Sequence, residues 1–245
     1  MLRSVKSFHK YHVKAGDTQV GRIYDLLFES ADWVVRYIVV EIHTWDTEKY
    51  VLLTPADFTR LDVEAEAIVT TLTKNEVYGM PELSERPPVS LRYQTRLHDN
   101  IDLPQYWPAY GYYHIPPHGD LAEVSQRVSA EILREGDTNL WSARQITGYH
   151  VQAINGGEGR IEDLIMDDDN WSIIDVAIDI GKWLPGKKVI VPPAYVKEIR
   201  WDEETVYFDM SIQSIGESTE YDPSAPINVK EECKVKVYDY LGRPR

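Results

Sequence analysis

The sequence predicts a mainly β protein: two small β-barrels in tandem, related by a pseudo-two-fold, each trailed by a short C-terminal helical arm. Three observations predict it. Residues 20–42, V-G-R-I-Y-D-L-L-F-E-S-A-D-W-V-V-R-Y-I-V-V-E-I, recur 138 residues later as E-G-R-I-E-D-L-I-M-D-D-D-N-W-S-I-I-D-V-A-I-D-I, and a self-match at fixed offset marks a duplicated structural unit. Each copy alternates apolar and polar residues and then runs rich in Val, Ile and Tyr, the pattern of strands. Five or six short, closely spaced strands per copy favour a closed barrel over an open sheet with two exposed edges.

The duplication runs without gaps through Tyr11-His12-Val13 and Tyr149-His150-Val151, Trp45 and Trp183, Val51 and Val189, and Pro55-Ala56 and Pro193-Ala194. That is about 16 identities over about 57 aligned positions. Taken in order, residues 4–9 read as a short helical turn leading to a first strand near residues 11–15. Gly16-Asp17 then form a tight turn, since both tolerate positive φ. The hairpin follows. Ile23, Asp25 and Leu27 share one face and Tyr24, Leu26 and Phe28 the other. Polar turns come next, Glu29 to Asp32 in the first copy and Asp167 to Asn170 in the second. The return strands start at Trp33 and Trp171 and are too β-branched for helix. Residues 50–53 and 189–191 are strands ended by proline, and residues 67–71 and 205–209 give one more each. Thr73-Lys74-Asn75-Glu76 fits a capping box opening a short helix. Further helices are expected from Ser90 through Leu97, over residues 123–134, and over residues 228–241, where Val229, Cys233, Val237 and Leu241 make one narrow apolar stripe.

Composition sets the outer limits. The 245 residues, 43% of them hydrophobic, bury a sizeable core, and the repeat decides for two domains. A net charge of −14 argues against a general nucleic-acid binder, because phosphate contact needs a positive surface. The single cysteine, Cys233, excludes an intramolecular disulfide and points to a reducing compartment. The opening M-L-R-S-V-K-S-F-H-K lacks the apolar core of a secretory signal, and no apolar run reaches the length of a membrane span. The expectation is a cytoplasmic protein without a transmembrane segment, with peripheral membrane association left open.

Between the copies lies Y-W-P-A-Y-G-Y-Y-H-I-P-P-H, residues 106–118. Its prolines forbid regular helix, and its aromatics are too many for an indifferent linker. The rings either pack on the barrels and set their orientation or form a partner-binding patch, whose residues are Trp107, Tyr110, Tyr112 and Tyr113.

The series G-R-I-Y-D-L-L-F, turn, W-V-V-R-Y-I-V-V-E, Trp-containing loop and V-L-L-T-P resembles the PRC-barrel family. That family includes the cytoplasmic domain of the photosynthetic reaction-centre H subunit and the C-terminal domain of a ribosome maturation factor. The chain is similar to stand-alone bacterial members with two such barrels, over roughly residues 2–75 and 140–212. The resemblance implies a first PRC-barrel at 1–80, a helical arm and aromatic, proline-rich linker at 81–138, a second PRC-barrel at 139–213 and a helical arm at 214–245. It also implies a scaffold or adaptor working through protein contacts, since the family has no shared catalytic residue.

Several residues invite chemistry and are read structurally. Asp167-Asp168-Asp169-Asn170 lacks the alternating ligands, glycine bend and distant Glu of a calcium loop and reads as a solvated turn. His114 and His118 have the spacing of a helical zinc pair, but Pro116 and Pro117 stand between them. His12 and His150 occupy equivalent positions, expected to pack or to hydrogen-bond the backbone. Asp25 and Asp163 are expected to pair with Arg22 and Arg160 or to face solvent. Residues 156–159, G-G-E-G, read as a turn. No catalytic residue, metal or cofactor is expected. The partner is an unidentified protein, with homo-oligomerisation open. The alternative is a small-molecule or stress-linked ligand binder with a cleft between the barrels lined by Trp45, Trp183 or the linker tyrosines.

Overall fold

The computed structural model describes residues 1–43, 48–80, 82–83, 140–181 and 186–225. Trp45, Trp183, the linker aromatics, His114, His118 and the helices expected beyond Ser90, at 123–134 and at 228–241 lie outside them. The described chain is mainly β and divides into two compact units. One is Val5–Ile146; the other is Met1–Ser4 together with Thr147–Arg245.

In the first unit a 3-10 turn at Val5–Lys10 buries Val5 and Phe8 and leads to β2 (His12–Ala15). β3 (Thr18–Glu29) and β4 (Val34–His43) form the long hairpin, followed by β5 (Glu48–Leu53), β6 (Phe58–Asp62), β7 (Ala67–Thr70) and α1 (Lys74–Gly79). The pairing order is β5-β4-β3-β2-β7-β6, antiparallel except for β2 with β7. The second unit repeats the order with β9 (His150–Ala153), β10 (Gly156–Asp167), β11 (Ser172–Asp179), β12 (Lys188–Val191), β13 (Val196–Arg200), β14 (Thr205–Phe208), α3 (Ile212–Gly216) and β15 (Thr219–Glu220). There β9 and β14 are the parallel pair.

Details recur at the same offset. Gly21 has a backbone neighbour where a side chain would go: a Cβ there would lie 2.5 Å from the Glu41 carbonyl oxygen. The last residue of each hairpin turn, Trp33 or Trp171, takes φ 58° or 61°, so the return strand begins one residue later than the β-branched run suggests. Such a φ is uncommon for a bulky residue. The capping box expected at Thr73 is formed, the Glu76 N–H donating to Thr73 Oγ1 at 3.3 Å and the Thr73 N–H to Glu76 Oε2 at 2.7 Å. Lys49 Nζ donates to the Tyr78 carbonyl at 2.5 Å, and Lys187 Nζ to the Gly216 carbonyl at 2.7 Å. A cation at a helix C-terminus satisfies orphan carbonyls and complements the dipole.

Four expectations are corrected. Among the described residues neither ladder closes into a barrel, because no pairing joins β5 to β6 or β12 to β13. The edges are handled otherwise: Val51 bridges to Glu82, Val189 pairs with Glu220 in β15, and β6 and β13 are five residues long and each interrupted by a bulge. Covering, shortening and bulging are standard protections for a sheet edge. Residues 156–159 open β10 rather than forming a turn, with the irregularity of pairing between Gly156 and Gly159. His12 and His150 are exposed on their strands, and His12 Nδ1 meets Gln19 Nε2 at 3.0 Å. The fourth concerns Asp25 and Asp163.

Candidate functional site

The most specific polar arrangement among the described residues is a pair of seats, one on each long hairpin, in which a three-residue strand is held by a buried aspartate. Each hairpin prepares its aspartate the same way. β3 and β4 slip register between Ile23 and Asp25, and β10 and β11 slip between Ile161 and Asp163. A bulge bends the strand and re-aims the next side chain. Both carboxylates are consequently inside, each only 3% exposed. Pairing with Arg22 or Arg160, or facing solvent, is not what they do: Arg22 pairs with the buried Glu41, and Arg160 donates to the Gly148 carbonyl at 3.2 Å.

On the first hairpin, β8 (Leu140–Ser142) lies antiparallel to the end of β3, with Ser142 opposite Leu27, Trp141 opposite Phe28 and Leu140 opposite Glu29. The Ser142 hydroxyl donates to Asp25 Oδ2. The N–H groups of Arg144 and Leu26 donate to Asp25 Oδ1 at 3.0 and 2.8 Å. Ser142 Oγ in turn accepts the Gln145 N–H at 2.8 Å, so it caps α2 (Ala143–Ile146) while presenting its proton to Asp25. The Arg144 guanidinium sits 4.3 Å from the centroid of the Tyr24 ring, and Phe28 stacks on Trp33 at 5.0 Å. Burial pushes the Asp25 carboxyl up to about 6, with the Ser142 and backbone hydrogen bonds opposing. At the far end of the seat Glu29 is buried too, one of its oxygens has no hydrogen-bond partner, and burial pushes it to about 7 against the pull of Arg36.

The second hairpin holds β1 (Leu2–Ser4) in the equivalent place, Leu2 opposite Asp167, Arg3 opposite Met166 and Ser4 opposite Ile165. The Ser4 hydroxyl donates to Asp163 Oδ2, the Leu164 N–H to Oδ1 at 2.8 Å, and the Tyr221 hydroxyl reaches Oδ2 at 3.4 Å. Leu2 packs on Ile165, Ala177 and Tyr221. The acidic stretch forms the expected hairpin turn, with Asp169 and Asn170 exposed, and its carboxylates also engage β1. Arg3 Nε donates to Asp168, and the Met1 amino group lies 2.9 Å from Asp167 and 3.1 Å from Asp169 and also bonds Asp168. The Met1 amino group, with the Asp169 N–H, holds Asp167 low; for Asp168, burial works upward and is outweighed by the amino group and Arg3.

Chemically, a serine hydroxyl bonded to a buried carboxylate holds a strand in place; Asp25, Asp163 and Ser142 are each 3% exposed, and Ser4 is partly buried. Sequence reasoning singled out Asp25 and Asp163 but missed Ser4 and Ser142. The available signal was L-R-S at residues 2–4 recurring as L-W-S at 140–142, the same offset as the hairpins. The expected partner-binding residues Trp107, Tyr110, Tyr112 and Tyr113 lie outside the described residues. No helix among the described residues is long and apolar enough to cross a membrane. A scan of protein-family models finds none that matches the chain, and a search of curated proteins finds none that matches it.

Proposed function

We propose that this chain is a non-enzymatic scaffold or adaptor built from two tandem PRC-type units and working in the cytoplasm through protein contacts. The observation that carries the reading is the strand seat: each long hairpin is completed by a short strand held on its edge by backbone pairing and one anchored side chain. Edge-strand addition is a recurring mode of peptide recognition, in which the ladder supplies affinity and side-chain anchors supply specificity. Both seats are filled by the chain's own strands, so they display this contact mode twice. The aromatic stretch carrying Trp107, Tyr110, Tyr112 and Tyr113 supplies a second contact surface, with the Tyr and Trp content of interface cores.

The test is affinity capture of the tagged chain from its native lysate, soluble and membrane fractions separately, beside the Trp107→Ala/Tyr110→Ala variant with matched thermal stability. The expected result is a stoichiometric protein partner lost from the variant. Turnover of a substrate in a broad activity screen, abolished by a single point substitution, would overturn the reading.

A further inference from the structure

The two seated strands are exchanged. β1 stands at the head of the first copy in sequence yet pairs with the hairpin of the second, and β8 heads the second copy yet pairs with the hairpin of the first. Neither hairpin is completed by the strand of its own copy. The residues at the seats discriminate between the two strands. Arg3 is matched to Asp168, where the first copy has Ser30, and Trp141 faces Phe28, where the second copy has Met166. Were β1 seated on its own hairpin, Arg3 would face an aromatic ring and lose its carboxylate.

We propose that the seats accept the same strands from a second copy of this chain, so that residues 1–80 of one molecule assemble with residues 140–225 of another and the protein forms a strand-exchanged dimer. The choice of partner rests on the contact-based reading above. A second copy presents the identical L-R-S and L-W-S strands, so the hydrogen bonds from Ser142 and Arg144 to Asp25, from Ser4 to Asp163, and from Arg3 and the Met1 amino group to Asp168 are remade across molecules. Both seats change hands in one event, because Ser4 adjoins the first unit directly and Ser142 leads into α2. What changes is only whether the connection joins the halves that meet. Sixty residues lie between Gly79 and Leu140, and the effective concentration that a connection confers falls as it lengthens. Exchange of identical elements is a low-cost route to a closed two-fold assembly.

The experiment uses full-length chains in which Cys233 is replaced by Ser. Arg3→Cys and Met166→Cys face each other across β1 and β10, within disulfide reach for directly opposed strand residues. Placed together in one chain at low concentration, they are expected to cross-link as a monomer under mild oxidation. Placed in separate chains that are mixed, unfolded in urea and refolded together, they are expected to give a disulfide-linked heterodimer whose yield rises with concentration. Each single variant refolded alone is the control. Leu140→Cys with Glu29→Cys repeats the test at the other seat, should the first pair fold poorly. Cross-linking within the double variant but no heterodimer at any concentration, with monomer mass by light scattering, overturns the proposal. So does failure of both pairs to cross-link within one chain, which removes the seat itself. A strictly monomeric result leaves the adaptor reading standing, because capture of a foreign protein decides that separately.

Discussion

The two seats share one architecture and hold their strands by different physics. On β3 the strand is held by an apolar surface: Trp141 opposite Phe28, Phe28 stacked on Trp33, and two buried carboxyls, Asp25 and Glu29, both pushed upward by burial. On β10 it is held by charge: Arg3 and the Met1 amino group against Asp167, Asp168 and Asp169, with Met166 where the first copy has Phe28. What is kept in both is the bulge, the inward aspartate and the serine hydroxyl. What is free to diverge is the residue beside them. The difference teaches that the backbone pairing and the Asp–Ser bond define the seat, while its other contacts choose which strand enters.

Four measurements break or sharpen that contrast. The largest effect is expected from Phe28→Ala, which empties a fully buried aromatic site and costs about 4 kcal/mol in chemical unfolding, against about 3 for Met166→Ala. Equal losses would mean that the first seat is no more apolar in its energetics than the second.

Next comes pH. With its carboxyl at about 6 instead of its ordinary 3.8, Asp25 keeps its proton when folded and has lost it when unfolded between those values. The folded state then binds more protons, so stability falls as pH rises through this window, by about 3 kcal/mol. Glu29, displaced from 4.5 to about 7, extends the fall to neutrality. Stability measured from pH 4 to 7 should be flatter in Asp25→Asn, and flatter again with Glu29→Gln added; an unchanged slope refutes the burial argument.

The equivalent glycines come third. At Gly21 a Cβ would lie 2.5 Å from the Glu41 carbonyl oxygen and 2.8 Å from Val40 Cγ1, whereas at Gly159 the nearest atoms are 3.1 Å away. Gly21→Ala is expected to cost about 2 kcal/mol and Gly159→Ala about 1, read from melting temperatures. Reversal of that order would show that the first hairpin yields more readily than the second.

The smallest effect is the most diagnostic of mechanism. Arg3→Ala should cost about 1 kcal/mol at low salt and less at high salt, because its ion pair with Asp168 is screened. Trp141→Ala at the other seat should cost the same at both ionic strengths. A salt-dependent loss at Trp141 would dissolve the contrast.

Much of each unit was legible. The alternation in residues 22–28, the acidic turn and the β-branched return strand are local patterns, and a hairpin is a local object. The Thr73 capping box was readable for the same reason, since its donors and acceptors sit three residues apart. The burial of Asp25 was not, because alternation places it on a face but a bulge decides where that face looks. Barrel closure was argued from the number of strands; the ladder instead ends at edges guarded by Glu82 and β15, contacts with residues far along the chain.

By itself, then, the sequence determined that the protein is duplicated, that each copy is β-rich around one long hairpin, and where the hairpin turns and the first helix fall. Only the tertiary structure decided that Leu2–Ser4 completes the second hairpin and Leu140–Ser142 the first. The reason is physical: periodicity and propensity act over a few residues and are written in the order of the chain. The choice between two equivalent seats rests instead on single contacts between residues more than a hundred positions apart, Ser4 with Asp163, Arg3 with Asp168 and Ser142 with Asp25, which no local pattern encodes.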